Sequence, residues 1–152
     1  MSELRELYQE MILDHGRDPR NFGRPDRANR EAHGDNPLCG DQIDVFVRLE
    51  DGIVREIGFE GRGCSISQAS ASMMTEIVKG KSEAEIRALF ERFHRLVTGS
   101  GDGAAAADGD DFDKLIVLAG VRQFPMRVKC ATLPWHTVTA ALAGEDTKVT
   151  TE

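Results

Sequence analysis

Three cysteines stand in the chain, Cys39, Cys64 and Cys130, each at the edge of a predicted element rather than inside an apolar stripe. Cys39-Gly-Asp41 closes a turn-rich loop just before a strand. Cys64 follows Glu60-Gly-Arg-Gly63 and precedes a helix start, and Cys130 ends Arg127-Val-Lys129 and opens the last predicted helix. A thiol at a helix N-terminus ionises readily, because exposed amide donors favour negative charge there. Neighbouring glycines let backbone approach a small centre without Cβ contacts. Three thiolates and Asp41 make four ligands suited to tetrahedral zinc. At i and i+2, Cys39 and Asp41 project to one side if the strand extends back to the cysteine. There is no Cys-x-x-Cys pair, so the spacing leaves several readings open. An iron–sulfur cluster also takes thiolate ligands. Separate buried thiols can act as small apolar side chains, and one reactive cysteine can stand beside two bystanders. An odd number of thiols cannot pair completely, and structural disulfides are disfavoured in a reducing compartment.

The elements that must position these groups follow from periodicity. Leu4, Leu7, Tyr8, Met11 and Ile12 recur at helical spacing after Ser2, with Gly16 as a stop. Residues 17–40 are dense in turn formers, with a short strand expected near Arg30–Gly34. From Gln42 the period becomes two: Ile43, Val45, Val47 and Leu49 alternate, Asp51-Gly52 turns the chain, and Ile53, Arg55, Ile57 and Phe59 continue, which predicts a β-hairpin. A helix is expected over 66–79. Ser82-Glu-Ala-Glu85 is a capping box opening another through Val97. Asp113–Gln123 reads as a shorter apolar helix ended by Pro125, and a last helix spans about 132–143. The Met and Phe stripes face a core. A helix, a meander and then helices predict an α+β fold, a small antiparallel sheet with helices packed on one face.

The chain has 152 residues and a net charge of −7, a composition expected of one globular domain over 1–152. The acidic balance argues against a nucleic-acid groove, which needs clustered positive charge. The apolar run Leu115–Val121 is far short of the roughly 20 residues of a membrane helix. The start lacks a basic segment followed by an apolar one, which points to the cytoplasm. Residues 99–111 read as a flexible acidic insertion, and their aspartates do not match an EF-hand loop.

Other polar residues carry weaker signals. His15 ends the first helix, where a cation is favourable. His33 lies close in sequence to Cys39, but its spacing does not favour a ligand role. His94 falls outside the apolar stripe of its helix. His136 follows Cys130 by six residues, without the third group or oxyanion pocket of a thiol hydrolase. Arg127 and Lys129 flank Cys130 and offer charge to an anionic sulfur species, or are solvated surface groups.

Long motifs run from the first helix to the last: Tyr8, Leu13-Asp-His15, Pro19-Arg-Asn21, Asn36-Pro-Leu-Cys-Gly-Asp41, Gly61-Arg-Gly-Cys-Ser-Ile-Ser67, Ala69-Ser-Ala-Ser-Met-Met74 and Arg127-Val-Lys-Cys-Ala-Thr-Leu-Pro-Trp135. Together they resemble the IscU/NifU-type iron–sulfur assembly proteins, whose N-terminal-type fold the chain is then expected to share. The resemblance implies metal binding by Cys39, Asp41, Cys64 and Cys130. The IscU branch carries a histidine just before the third cysteine, where this chain has Lys129. That difference and the 99–111 insertion resemble the SufU branch, a zinc-dependent sulfur acceptor. The resemblance therefore implies Zn²⁺, a PLP-dependent SufS-type cysteine desulfurase as partner, Cys39 as the residue that accepts persulfide sulfur, and downstream assembly machinery. Because zinc also blunts a thiolate, attack calls for Cys39 to leave the metal while another ligand fills its place. The alternatives are a scaffold on which a transient [2Fe–2S] cluster is built, and a purely structural zinc domain.

Overall fold

The computed structural model describes residues 2–37, 40–98, 118, 125–144 and 148–150. Helix α1 spans Ser2–Arg17, followed by strands β1 (Arg30–Asn36), β2 (Asp41–Glu50) and β3 (Ile53–Arg62). Helices α2 (Ser65–Val78), α3 (Glu83–Thr98) and α4 (Pro125–Ala143) come next, and a short strand β4 (Lys148–Thr150) follows them. The sheet order is β3-β2-β1-β4. The first three strands are antiparallel, and β4 runs parallel to β1. The fold is α+β, with α2 packed on β3 and α4 on β1 and β2.

The meander forms as its period predicts. Ala32 and Gly34 of β1, Ile43, Val45 and Val47 of β2, and Ile57 and Phe59 of β3 turn inward. Asp51 and Gly52 both have positive φ, 55° and 76°, the geometry of a two-residue hairpin loop. One departure interrupts the alternation. Leu49 pairs with Val54 and Arg48 with Glu56, so Arg55 is the extra residue of a bulge. The bulge turns Val54 inward and leaves Arg55 exposed, where even alternation grouped Arg55 with the inward Ile57.

Helix α2 is buried on almost every side, and its Ser and Ala residues let α1 and α4 approach closely. The C-terminal end of α1 is tied to it through Ser72. His15 Nδ1 lies 2.7 Å from the hydroxyl, and the Arg20 N–H donates to it at 2.8 Å. His15 is therefore a buried clasp between the end of α1 and α2. The capping box of α3 is reciprocal: Ser82 N donates to Glu85 Oε1 at 2.9 Å and Glu85 N to Ser82 Oγ at 3.2 Å.

Helix α4 begins seven residues before its predicted start. Pro125, expected to end the preceding helix, is instead the first residue of α4, where a missing N–H costs nothing. Cys130 consequently lies in the second turn and does not open the helix. At Gly34 a Cβ would overlap Thr137 Oγ1 and stand 3.0 Å from Leu133 Cδ1, so α4 rests directly on β1. The predicted helix over 113–123 and the 99–111 insertion lie outside the described residues, apart from the buried Leu118.

Candidate metal centre

Three elements end at one point. Asp41 opens β2, Cys64 is the N-cap of α2, and Cys130 sits on the α4 turn above the end of β1. One ligand atom from each, a carboxylate oxygen and two sulfurs, lies within 4.8 Å of the others. Donors around one tetrahedral zinc stand about 3.3–3.8 Å apart, given bonds of about 2.0–2.3 Å. Side-chain movements of about 1 Å would close these three on an ion, so the donor set fits a metal. Asp41 and Cys130 are fully buried and Cys64 is half-buried, so the centre opens on the Cys64 side. Cys39, the remaining predicted ligand, lies outside the described residues. In the chain it stands two residues before Asp41.

The Asp41 carboxylate is held by the protein itself. Its Oδ1 accepts the Cys64 N–H at 2.9 Å, and its Oδ2 faces Asn36 Nδ2 at 3.4 Å. The same Asn36 nitrogen donates to Cys130 Sγ at 3.5 Å. Gly63 borders the carboxylate so closely that a Cβ there would overlap Oδ1. Neither Asn36 nor Gly63 stood out from the sequence as a site residue, although both fall within its long motifs. The available signal is that Asn36 continues the inward series Ala32, Gly34, Asn36, which places an amide where an apolar residue belongs.

Charge is focused on the two sulfurs. A hydrogen bond from Cys130, aided by the backbone N–H groups of Ser67 and Ile66, lowers the Cys64 pKa to about 6, against burial and the nearby Asp41 charge. The Ser67 N–H lies 3.5 Å from the sulfur, the N-cap arrangement of a helix start. Arg127 is exposed and faces both thiols, and the Cys64 charge, with hydrogen bonding to Cys130, raises its pKa.

The histidines lie elsewhere. His33 stands on the outer side of the sheet, with Nδ1 2.8 Å from Asp44 and Nε2 3.3 Å from Asp35. Both ring nitrogens are thus engaged by carboxylates. His94 is exposed, as expected, and His136 packs edge-on against Phe90 with centroids 4.8 Å apart.

The profile of the NifU-like N terminal domain family matches residues 7–131. The chain belongs to this family. It is 38% identical over 142 residues to the iron–sulfur cluster assembly scaffold protein IscU of Streptococcus pyogenes serotype M1, covering 93% of this chain and 86% of that one. It is also 38% identical over 145 residues to the zinc-dependent sulfurtransferase SufU of Bacillus subtilis strain 168, covering 95% of each. Among solved structures, a candidate iron–sulfur cluster assembly scaffold protein for the SUF system from Fervidobacterium islandicum AW-1 superposes with a TM-score of 0.79. That pair is 31% identical over 88% of this chain and 94% of the other. This NifU-like domain is thus a member of the iron–sulfur cluster assembly scaffold family, with relatives named IscU and SufU at equal identity. Among the described residues no helix is long and apolar enough to cross a membrane.

Proposed function

We propose that this NifU-like domain accepts sulfur from the persulfide of a PLP-dependent, SufS-type cysteine desulfurase and passes it to iron–sulfur cluster assembly. Its resident metal is zinc, held by Cys39, Asp41, Cys64 and Cys130. The observation that carries this reading is the approach of the Asp41, Cys64 and Cys130 ligand atoms to within 4.8 Å, in a chain whose residue before Cys130 is Lys129. The name of the Bacillus subtilis relative supports it.

Bound zinc keeps its thiol ligands deprotonated at neutral pH and guards them against oxidation. The chain's own residues do the rest. The Cys39 sulfur attacks the outer sulfur of the desulfurase persulfide. The donor S–S bond breaks, a new S–S bond forms on Cys39, and the desulfurase cysteine leaves as a thiolate, with no net gain or loss of electrons. Asp41, Cys64 and Cys130 are anchored on β2, α2 and α4, whereas Cys39 belongs to the connection 37–40. Arg127, exposed beside both described thiols, offers positive charge to an arriving anionic sulfur.

The test is desulfurase turnover with the zinc-loaded chain present. Wild type should accelerate sulfur release from cysteine, and Cys39→Ala should abolish that stimulation while the variant stays folded. Full stimulation by Cys39→Ala would refute the acceptor assignment, and no stimulation by wild type would leave a structural zinc domain. The scaffold reading is favoured by the Streptococcus pyogenes relative's name. Protein isolated without oxygen separates the two: zinc without visible absorption supports sulfur transfer, and a brown [2Fe–2S] chromophore supports scaffolding.

A further inference from the structure

Asn36 is a polar side chain in an apolar position, 1% exposed on the inner face of β1. Such a group is costly unless it is hydrogen-bonded. Its amide nitrogen meets two acceptors, Asp41 Oδ2 at 3.4 Å and Cys130 Sγ at 3.5 Å, while its carbonyl oxygen has no hydrogen-bond partner among the described residues. Turning the amide end for end would aim that oxygen at a carboxylate and a sulfur, so the nitrogen must face them. The Asn36 backbone reaches the centre as well: its C=O accepts the Gly40 N–H at 2.9 Å, closing the connection that carries Cys39. On the opposite side the Cys64 N–H holds Asp41 Oδ1 at 2.9 Å.

We infer that Asn36 is a positioning residue of the metal centre, its amide bridging Asp41 and Cys130 so that the carboxylate offers an ion one oxygen rather than two. The inference rests on the zinc-centre reading above. With Oδ1 committed to the start of α2, Oδ2 is the oxygen left for a metal, and the Asn36 N–H fixes its direction. The same donor draws electron density from the Cys130 sulfur and fixes its distance from Asp41. Removing a group that orients a metal ligand in this way typically weakens metal binding about 10–100-fold.

The test substitutes Asn36→Leu, which keeps the branched side-chain outline with larger methyl groups and removes the amide donor together with the carbonyl oxygen. Zinc affinity, measured by competition with a chromophoric chelator, should fall about 10–100-fold. In the cobalt(II)-loaded chain the sulfur-to-metal charge-transfer band should move to longer wavelength, because a thiolate relieved of its hydrogen bond is easier to oxidise. The melting temperature of the metal-free chain should change little. Should the leucine variant fail to fold, Asn36→Ala, which only removes atoms, is read the same way. In an Asp41→Ala background the affinity loss should shrink. Wild-type affinity and an unshifted band in the variant would overturn the inference alone, as would a fall in metal-free stability with affinity unchanged. A wild-type chain that takes up neither zinc nor cobalt would overturn the metal reading and this inference with it.

Discussion

Gly63→Ala isolates the hold on Asp41. The Gly63 backbone lies outside the left-handed region, so alanine meets only a spatial conflict, the overlap of its Cβ with Asp41 Oδ1. The carboxylate must move and give up its 2.9 Å bond from the Cys64 N–H. Losing a hydrogen bond to a charged group costs about 1.5–3 kcal/mol. Alanine returns about 0.4–1 kcal/mol by restricting the unfolded chain. The net loss is about 0.5–2.6 kcal/mol, and at about 2–4 °C per kcal/mol for a chain of this size the metal-free melting temperature should drop by about 1–10 °C. Calorimetry on metal-free protein at neutral pH measures it. In an Asp41→Ala background the same substitution should cost much less, since the oxygen overlap is gone and only a tight 3.1 Å approach to the Cβ of residue 41 remains. Equal losses in both backgrounds, or none in wild type, would refute the packing of Gly63 on Asp41.

Three further outcomes test other parts of the molecule. Ser72→Ala withdraws a hydrogen-bond partner from both His15 Nδ1 and the Arg20 N–H, at a cost of about 2–4 kcal/mol and a melting temperature lower by about 5–15 °C. Thr139→Ala, which removes only a bond to Trp135 O within its own helix, should stay within about 2 °C, and a similar fall in both would argue against the clasp. Iodoacetamide should alkylate Cys64 of the metal-free chain with a rate that rises through a midpoint near pH 6, and Cys130→Ala, which removes the main hydrogen-bond donor, should move that midpoint upward. For His33, burial opposes the charge, but Asp44 and Asp35 outweigh it and raise the pKa above the ordinary 6.5. The stability it adds is full below pH 6.5 and is lost as pH climbs through the raised value. Asp44→Asn should therefore flatten the fall in melting temperature between about pH 6.5 and 8, and an unchanged slope would show that the pair adds nothing.

Local signals were legible where local chemistry decides the outcome. The β2–β3 hairpin follows from alternation around Asp51-Gly52, and the start of α3 from the reciprocal bonds of Ser82 and Glu85. Boundaries set by tertiary packing were not. Pro125 suits the first turn of a helix as well as the end of one, and Arg127-Val-Lys129 has no apolar stripe to mark it as helical, so Cys130 was placed at a helix start that lies five residues earlier. The role of His15 depends on Ser72, 57 residues away, and the bulge at Arg55 on pairing across the hairpin. At the centre, the residue types of Asp41, Cys64 and Cys130 single out three side chains that the fold brings within 4.8 Å of one another. Asn36 did not, because an asparagine before a proline reads as a turn residue until the alternation of β1 shows it facing inward.

Pro134 lies ten residues into α4 and has no N–H to give the carbonyl of Cys130. The next carbonyl, that of Ala131, accepts the Ser70 hydroxyl of α2 at 2.5 Å. On either side of the proline, Leu133 and Thr137 seat the helix on β1 at Gly34. The turn bearing Arg127, Lys129 and Cys130 is therefore joined to an anchored rod by a coupling that lacks one of its rungs. Bending at that coupling breaks no backbone bond from position 134, so the exposed Arg127 and the half-buried Lys129 ride on a turn that can shift together with the buried Cys130 at its base.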